Sequence, residues 1–205
     1  MWYKNSLVIT IVSVVLTLFI CYFVAYGLTM YNFKLKNFLF FLVIATMMVP
    51  FEILMLPLYK EIIALHLIDT YTGVIIIGLC NASTIFFFRQ YLSGLPRELL
   101  DAARIDGAGQ WQSFWKIVMP NVKAAWLTLF LLSFQSLWGI GATSYIYKEE
   151  LKTLPYALSQ ILSSGISRAG VGAAVSVFML IVPVFIFIFS QSNIIETMAS
   201  SGMKE

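Results

Sequence analysis

The side chains with chemistry to offer gather in one stretch, Leu95 to Pro120, "LPRELLDAARIDGAGQWQSFWKIVMP". Its carboxylates Glu98, Asp101 and Asp106 are of the kind that do acid–base work in pairs or ligate a hard cation. Neither chemistry has its usual company, because no His or Cys accompanies them. The lone His66 stands far away, and Cys21 and Cys80 fall inside apolar runs without metal-ligand spacing, where a thiol behaves as a small hydrophobe. The sequence holds no Gly-Lys pair, so it has no phosphate-cradling loop of the G-x-x-x-x-G-K-[ST] kind. Enzymatic readings therefore rank last, and the carboxylates read as charges on a solvated helix.

The helices that carry these residues are legible. Pro96 suits a first helical position, since its missing N–H has no partner there to lose, and Glu98 and Asp101 follow in the first turns, where negative charge complements the helix dipole. Ala102 and Ala103 give this arm a small-residue face. Gly107 and Gly109 interrupt it with a turn. A second helix places Trp111, Phe114, Trp115 and Val118 at i, i+3, i+4 and i+7, an aromatic stripe on one side. Met119-Pro120 is expected to close it, because the residue before proline is biased away from helix. An L-shaped helix–turn–helix of this kind suits docking rather than catalysis.

The rest of the chain is oil. Of its 205 residues 60% are hydrophobic and 11% charged, against roughly 25% charged in ordinary soluble domains. Five apolar runs approach or exceed the roughly 20 residues a helix needs to cross a bilayer: Leu7 to Leu28, Phe38 to Leu58, Tyr71 to Phe88, Ala124 to Thr143 and Gly170 to Ser190, of which only the second holds a charge, Glu52. Five such runs leave too little polar sequence to clothe a water-soluble helical core, and they lack the alternation of barrel strands. The first is too long for the apolar region of a signal peptide and has no clean cleavage site after it. The expected fold is all-α, a polytopic transmembrane bundle of five spans forming a single domain over residues 1–205. Leu58, Ile62, Leu65 and Ile68, and likewise Leu154, Leu158 and Leu162, mark helices lying at the surface between spans.

Five spans put the two ends on opposite sides. One side carries Lys4, Lys60, Lys148, Lys152 and Arg168; the other carries Lys34, Lys36, Arg89, Arg97, Arg104, Lys116, Lys123 and Lys204. The basic excess makes the second side cytoplasmic. The 89–123 loop and the C-terminal tail are thus expected inside, and the N-terminus outside. No nucleic-acid partner is expected; lipid is.

At this point the residues resemble a family. E-A-A, three residues, G, nine residues, I, one residue, L-P recurs in the cytoplasmic loop of ABC importer membrane subunits, and here Asp101-Ala102-Ala103, Gly107, Ile117 and Pro120 stand at that spacing. Asp101 replaces the usual glutamate and Met119 the usual leucine, both with chemical type kept. "NSLVIT", "MMVPFEILMLPLY", "FFFRQYLSGLPREL", "LKTLPYAL" and the tail "IIETMASSGMKE" are also similar to the carbohydrate-importing, maltose-permease-like branch. Members of that branch usually have six or more spans with both ends in the cytoplasm, and "MWYKNSLVIT" resembles the approach to their second, so the first span is expected to be missing.

The resemblance implies a permease subunit of a binding-protein-dependent sugar importer. Its partners would be a second permease subunit, making a heterodimer in the family's manner, a dimeric ABC ATPase that uses the ATP and Mg²⁺, and an extracytoplasmic solute-binding protein; the chain itself would bind no cofactor. The coupling loop, residues 94–120, would dock into the ATPase through Glu98, Asp101, Ala102, Ala103, Asp106, Gly107, Trp111, Phe114, Ile117 and Pro120. For the substrate pathway the candidates are Glu52, placed about 20 Å into its span by 1.5 Å per residue, and Asn81, Gln135 and Trp138. Each has a plainer reading: a snorkelling carboxylate at a proline-broken helix end for Glu52, and helix–helix hydrogen bonding for Asn81 and Gln135. Trp138 falls where the branch has Trp-Asn, but Gly139 replaces the asparagine. A permease for a non-sugar solute and a non-transporting membrane assembly protein stand as alternatives.

Overall fold

The computed structural model describes residues 1–79, 81–140, 145–163, 165 and 168–202, with the side chains of 97 and 192–202 excepted. The expectations for Cys80, for the end of the fourth apolar run at Thr143 and for Lys204 lie outside the described residues.

Among the described residues the regular structure is helical, with no strand. In order come α1 (Trp2–Met30), α2 (Lys36–Met47), α3 (Phe51–Ala64), α4 (Tyr71–Gly78), α5 (Ala82–Ser93), α6 (Arg97–Ile105), α7 (Gln110–Asn121), α8 (Lys123–Trp138), α9 (Leu154–Ser163) and α10 (Ala169–Gly202). α1 and the Ala169–Gln191 part of α10 are each long and apolar enough to cross a membrane alone. Counting each bent helix pair as one crossing gives up to five spans.

The bends correct two of the expected rods, and a third bend lies just ahead of the fourth. The second apolar run breaks between Met47 and Phe51 and turns by 103°. Pro50 is the cause: it cannot donate to the preceding turn, disfavours helix at Val49, and itself adopts an extended conformation (ψ 135°) as the N-cap of α3. The third run bends by 44° between Gly78 and Ala82. Here Asn81 caps α5, its Oδ1 accepting from the Thr84 N–H at 3.0 Å. The fourth begins at a 76° corner after Asn121. The surface helix expected near Leu58 is the end of α3. It stops at Ala64, so Ile62 is buried while Leu65 lies beyond the helix and is exposed.

A break inside a bilayer leaves carbonyls without partners, and hydrocarbon offers none. α1 supplies them. Thr17 Oγ1 donates to the Gly78 carbonyl at 2.9 Å, and Cys21 Sγ approaches the Asn81 carbonyl at 3.6 Å. Cys21 is therefore more than a small hydrophobe.

α1 is the central rod, packed against α4, α5 and α8, while α10 rests on α8 and α9 and α2 on α5. Val14, Leu18, Cys21, Tyr22 and Ala25, spaced by three and four, turn one face of α1 into the core. Phe88 and Leu92 of α5, Phe114 and Val118 of α7, and Ala125, Leu129, Phe134 and Trp138 of α8 meet that face. Ser6, Thr10, Ser13 and Thr17 are buried on the same helix, small enough to let neighbours approach closely. The outer faces of α2, α3 and α10 expose Phe38, Phe41, Leu42, Ile53, Leu56, Phe178, Leu180, Phe185 and Phe187. An apolar surface of that extent belongs in lipid or against another membrane subunit.

Candidate functional site

The helix pair 97–121 is built from local signals that differ in detail from the sequence reading. α6 begins one residue later than expected: Pro96 is its N-cap, with non-helical geometry (φ −58°, ψ 131°), and not its first helical residue. Glu98 lies in the first turn and Arg104 in the last, each of the sign that the helix dipole favours. Gly107 takes φ +78°, the left-handed region that glycine enters without strain. The Ala108 N–H donates to the Ala103 carbonyl at 2.9 Å and the Gly107 N–H to the Arg104 carbonyl at 3.1 Å. Together these make a Schellman cap, which satisfies the last carbonyls of α6 and fixes the direction of the turn.

α7 starts after Gly109 and does not stop at Pro120. Met119 is helical (φ −59°, ψ −44°), and the helix runs on to Asn121. Residues Ser113–Val118 adopt the wider π register. An ordinary α-turn cannot close on proline, which has no N–H and whose ring collides with the preceding turn; the wider turn leads the chain past it. Asn121 Nδ2 then donates to the Ile117 carbonyl at 2.7 Å, and the corner into α8 follows.

The aromatic stripe faces inward. Phe114 is buried and stacks on Phe23 with centroids 4.7 Å apart and planes 9° apart, while Tyr22 and Tyr26 lie at 4.9 and 4.8 Å. Trp111 stacks on Phe23 at 6.1 Å and Trp115 approaches Phe19 at 5.9 Å. Tyr31 Oη donates to Gln110 Oε1 at 2.8 Å, tying the chain just beyond α1 to the start of α7. The stripe thus moors the pair to α1.

The opposite side of the pair faces out. Ala103 is buried, whereas Glu98, Asp101, Ala102, Arg104, Asp106 and Gly107 are exposed and Ile105 is 85% exposed. The two alanines therefore divide, Ala103 packing inward and Ala102 outward. Trp111 is moored by one face yet remains 66% exposed; Ile117 is half-buried and Pro120 exposed. Asp101 accepts from Arg104 Nη1 at 3.4 Å with both side chains about two-thirds exposed, a pair that adds little to stability. Among the described residues no three His, Cys, Asp or Glu side chains gather as a metal site would require.

The pathway candidates are not brought together by hydrogen bonds. Asn81 is spent on capping α5. Trp138 is buried, its Nε1 donating to the Met179 carbonyl of α10 at 3.0 Å, with Phe134 stacked at 5.7 Å and Tyr3 edge-on at 6.0 Å. Glu52 occupies the first turn of α3, beyond the Pro50 corner, so the straight-helix depth of about 20 Å does not apply. Glu52 and Gln135 are exposed.

Sequence reasoning missed a polar knot at the other end of α1. Asn5 Nδ2 donates to the Glu150 and Lys152 carbonyls at 2.6 and 3.0 Å, and Asn5 Oδ1 accepts from Tyr71 Oη at 2.9 Å. The Leu154 N–H donates to Ser6 Oγ at 2.8 Å. Asp69, at φ +54°, accepts from the Tyr147 and Lys148 N–H groups at 2.6 and 2.9 Å. Those backbone donors, Lys148 first, hold its carboxyl below the usual carboxylate range. The available signal was two adjacent polar residues, Asn5-Ser6, at the head of an apolar helix.

The chain matches the family described as binding-protein-dependent transport system inner membrane component over residues 17–199. It is 40% identical to the arabinooligosaccharides transport system permease protein AraQ of Bacillus subtilis (strain 168), over 99% of this chain and 73% of that one. The sn-glycerol-3-phosphate transport system permease protein UgpE of Yersinia pestis is 42% identical over 58% of this chain and 44% of its own. A crystal structure of a bacterial ABC transporter involved in the import of the acidic polysaccharide alginate superposes with a TM-score of 0.78 at 25% identity, covering 94% of this chain and 73% of that one.

Proposed function

Since the chain belongs to the family of binding-protein-dependent transport system inner membrane components, we propose that it is the membrane-spanning permease subunit of an ATP-driven importer for a sugar or oligosaccharide. The observation that carries the substrate class is the 40% identity with an arabinooligosaccharide permease across nearly the whole chain. Residues 1–205 act as one transmembrane domain. The chain is not itself the ATPase: a separate dimeric ABC subunit binds ATP and Mg²⁺ and hydrolyses the nucleotide, a second permease subunit completes the pathway as a heterodimer, and an extracytoplasmic binding protein delivers the solute. The protein resides in a bacterial or archaeal cytoplasmic membrane with the 89–123 loop and C-terminus inside and residue 1 outside.

The 97–121 pair transmits the motion. Its outward side, with Glu98, Asp101, Ala102, Ile105 and Asp106, is the docking surface offered to the ATPase, and its inward side, with Ala103 and Phe114, is fixed to the bundle. The Gly107 cap sets the angle between the arms. A push on α6 therefore reaches α1 through the Phe114–Phe23–Tyr26 contacts as movement of a rigid unit, rocking the bundle between inward- and outward-facing states. Glu52 and Gln135, exposed and unspent, are the pathway candidates that remain available to a solute.

Co-purification of the chain with an ATPase subunit, followed by a screen of solutes for stimulated hydrolysis in the presence of the binding protein, tests this reading. Stimulation by arabinooligosaccharides or another sugar is the expected result. Stimulation by glycerol phosphate and not by sugars would move the assignment to the solute class in the UgpE name. A chain that recruits no ATPase would be an assembly protein instead.

A further inference from the structure

Beside the end of α1 that carries the coupling loop, a pocket of about 570 Å³ is lined by Asn32, Phe33, Lys34, Lys36, Asn37 and Arg89. Three of the six lining residues are cationic, and none of the described lining residues is a carboxylate. Lys34 lies in the connection after α1, Lys36 at the start of α2 and Arg89 on α5, so the fold brings Arg89 to the two lysines.

Arg89 is held with unusual rigidity for a basic side chain at a surface. Its guanidinium lies 3.6 Å from the centroid of the Phe40 ring, and Phe40 is itself stacked on Phe86 with centroids 6.1 Å apart. Cation–π attraction at that distance holds the guanidinium in place without using its N–H donors. Its Nε is buried and has no hydrogen-bond partner. A buried, unpartnered donor on a permanently charged group costs stability unless something accepts from it. Lys36 Nζ donates to the Thr29 carbonyl at 2.9 Å near the end of α1, which fixes the wall of the pocket, while Lys34 is exposed.

The surroundings name the ligand. From Phe38 onward α2 turns exposed Phe38, Leu39, Phe41 and Leu42 outward, and Phe87 and Tyr91 are exposed on α5 on either side of Arg89 in sequence. The pocket thus sits where the apolar belt ends and the polar connection begins, the depth at which phospholipid headgroups lie. We propose that this pocket binds the phosphodiester of an anionic phospholipid, with Arg89 and Lys34 on the phosphate, Asn32 and Asn37 offering amide groups to the glycerol headgroup, and the acyl chains lying along α2. The proposal rests on the chain's membrane location and not on its solute or its partners.

The experiment is native mass spectrometry of the purified full chain in neutral detergent, titrated with phosphatidylglycerol or phosphatidylcholine. The expected result is one saturable phosphatidylglycerol adduct that phosphatidylcholine does not form and excess inorganic phosphate does not displace. Arg89→Gln should weaken it roughly tenfold, as loss of a charge-assisted hydrogen bond implies. Lys34→Gln should weaken it roughly fivefold, as expected for one basic residue near an anionic headgroup. Equal binding of the two lipids, or unchanged phosphatidylglycerol affinity in both variants, would overturn the proposal. Full displacement by inorganic phosphate would overturn the lipid assignment in favour of a free anion. Should Arg89→Gln not fold, Lys34→Gln decides alone, because that side chain is exposed and lies outside the core.

Discussion

At the end of the bundle where α1 begins, Asn5, Ser6 and Asp69 direct their polar atoms at backbone groups of residues 147–154. At the end where α1 finishes, the helix pair 97–121 is held by rings packed face to face and edge to face, with Tyr31 to Gln110 the side-chain hydrogen bond that ties it to the chain beyond α1. Hydrogen bonds are directional and fix a loop in one register. Ring packing holds a unit together while leaving its outer face unspent. The first end is latched to itself, and the second is moored on one side and open on the other. This is the difference to be expected if one end closes the bundle and the other transmits force from a partner.

The sharpest way to break the comparison is at Gly107. A Cβ there would meet nothing within 4 Å, so the harm of Gly107→Val comes from the φ of +78° alone. Strain of about 1–3 kcal/mol at the turn should cut ATP-driven uptake in vesicles roughly tenfold while the protein still inserts. Uptake at the parental rate would show that the angle between α6 and α7 is unimportant.

Phe114→Ala attacks the mooring. Truncating a buried phenylalanine costs about 3–5 kcal/mol, and here the loss should be confined to the loop end. Hydrogen exchange should rise across 97–121 and stay unchanged across 145–154. Asn5→Leu is the reciprocal probe. It leaves the Glu150 and Lys152 carbonyls and the Tyr71 hydroxyl without their partner, and should lower stability by about 1–3 kcal/mol, with faster exchange at 145–154 and none of the change at 97–121.

How much of this was legible in sequence depends on how local each signal is. A turn at Gly107 was visible because glycine tolerates sharp backbone angles, whereas the Schellman bonds that close it, from Ala108 to Ala103 and from Gly107 to Arg104, were not. The aromatic stripe was visible because Trp111, Phe114 and Trp115 repeat with the helix. Its direction was not, since periodicity says that residues share a face and not which neighbour they meet. The straight second and third spans were misread because hydropathy does not register a Pro50 corner or an Asn81 cap: both residues sit within apolar runs that sum correctly. The path of α7 beyond Pro120 escaped because a π turn is a tertiary accommodation that the proline rule does not anticipate. The polar knot joins Asn5 to residues nearly 150 positions away, a pairing no single sequence displays.

The smallest effect belongs to Asp69. Because the Lys148 and Tyr147 N–H groups hold its carboxyl below the ordinary range, it stabilises the folded state at pH values above the ordinary carboxylate pKa of about 4. That contribution fades as pH falls from there through the lowered folded value. This latch should therefore be indifferent to pH near neutrality and loosen in acid. Asp69→Asn should flatten the acid limb of a thermal-stability profile. A wild-type profile with its loss near neutral pH would contradict the assignment.

The most direct test sets the two ends against each other. In a background with Cys21 and Cys80 replaced by serine, single cysteines are placed at Ile105 on the loop end and at Tyr147 on the latched end, positions 85% and 58% exposed. A short bifunctional thiol cross-linker is then applied to the chain co-expressed with its ATPase. Capture of the ATPase by Ile105→Cys, altered by ATP, and none by Tyr147→Cys is the expected result. Capture at Tyr147→Cys with none at Ile105→Cys would contradict the account.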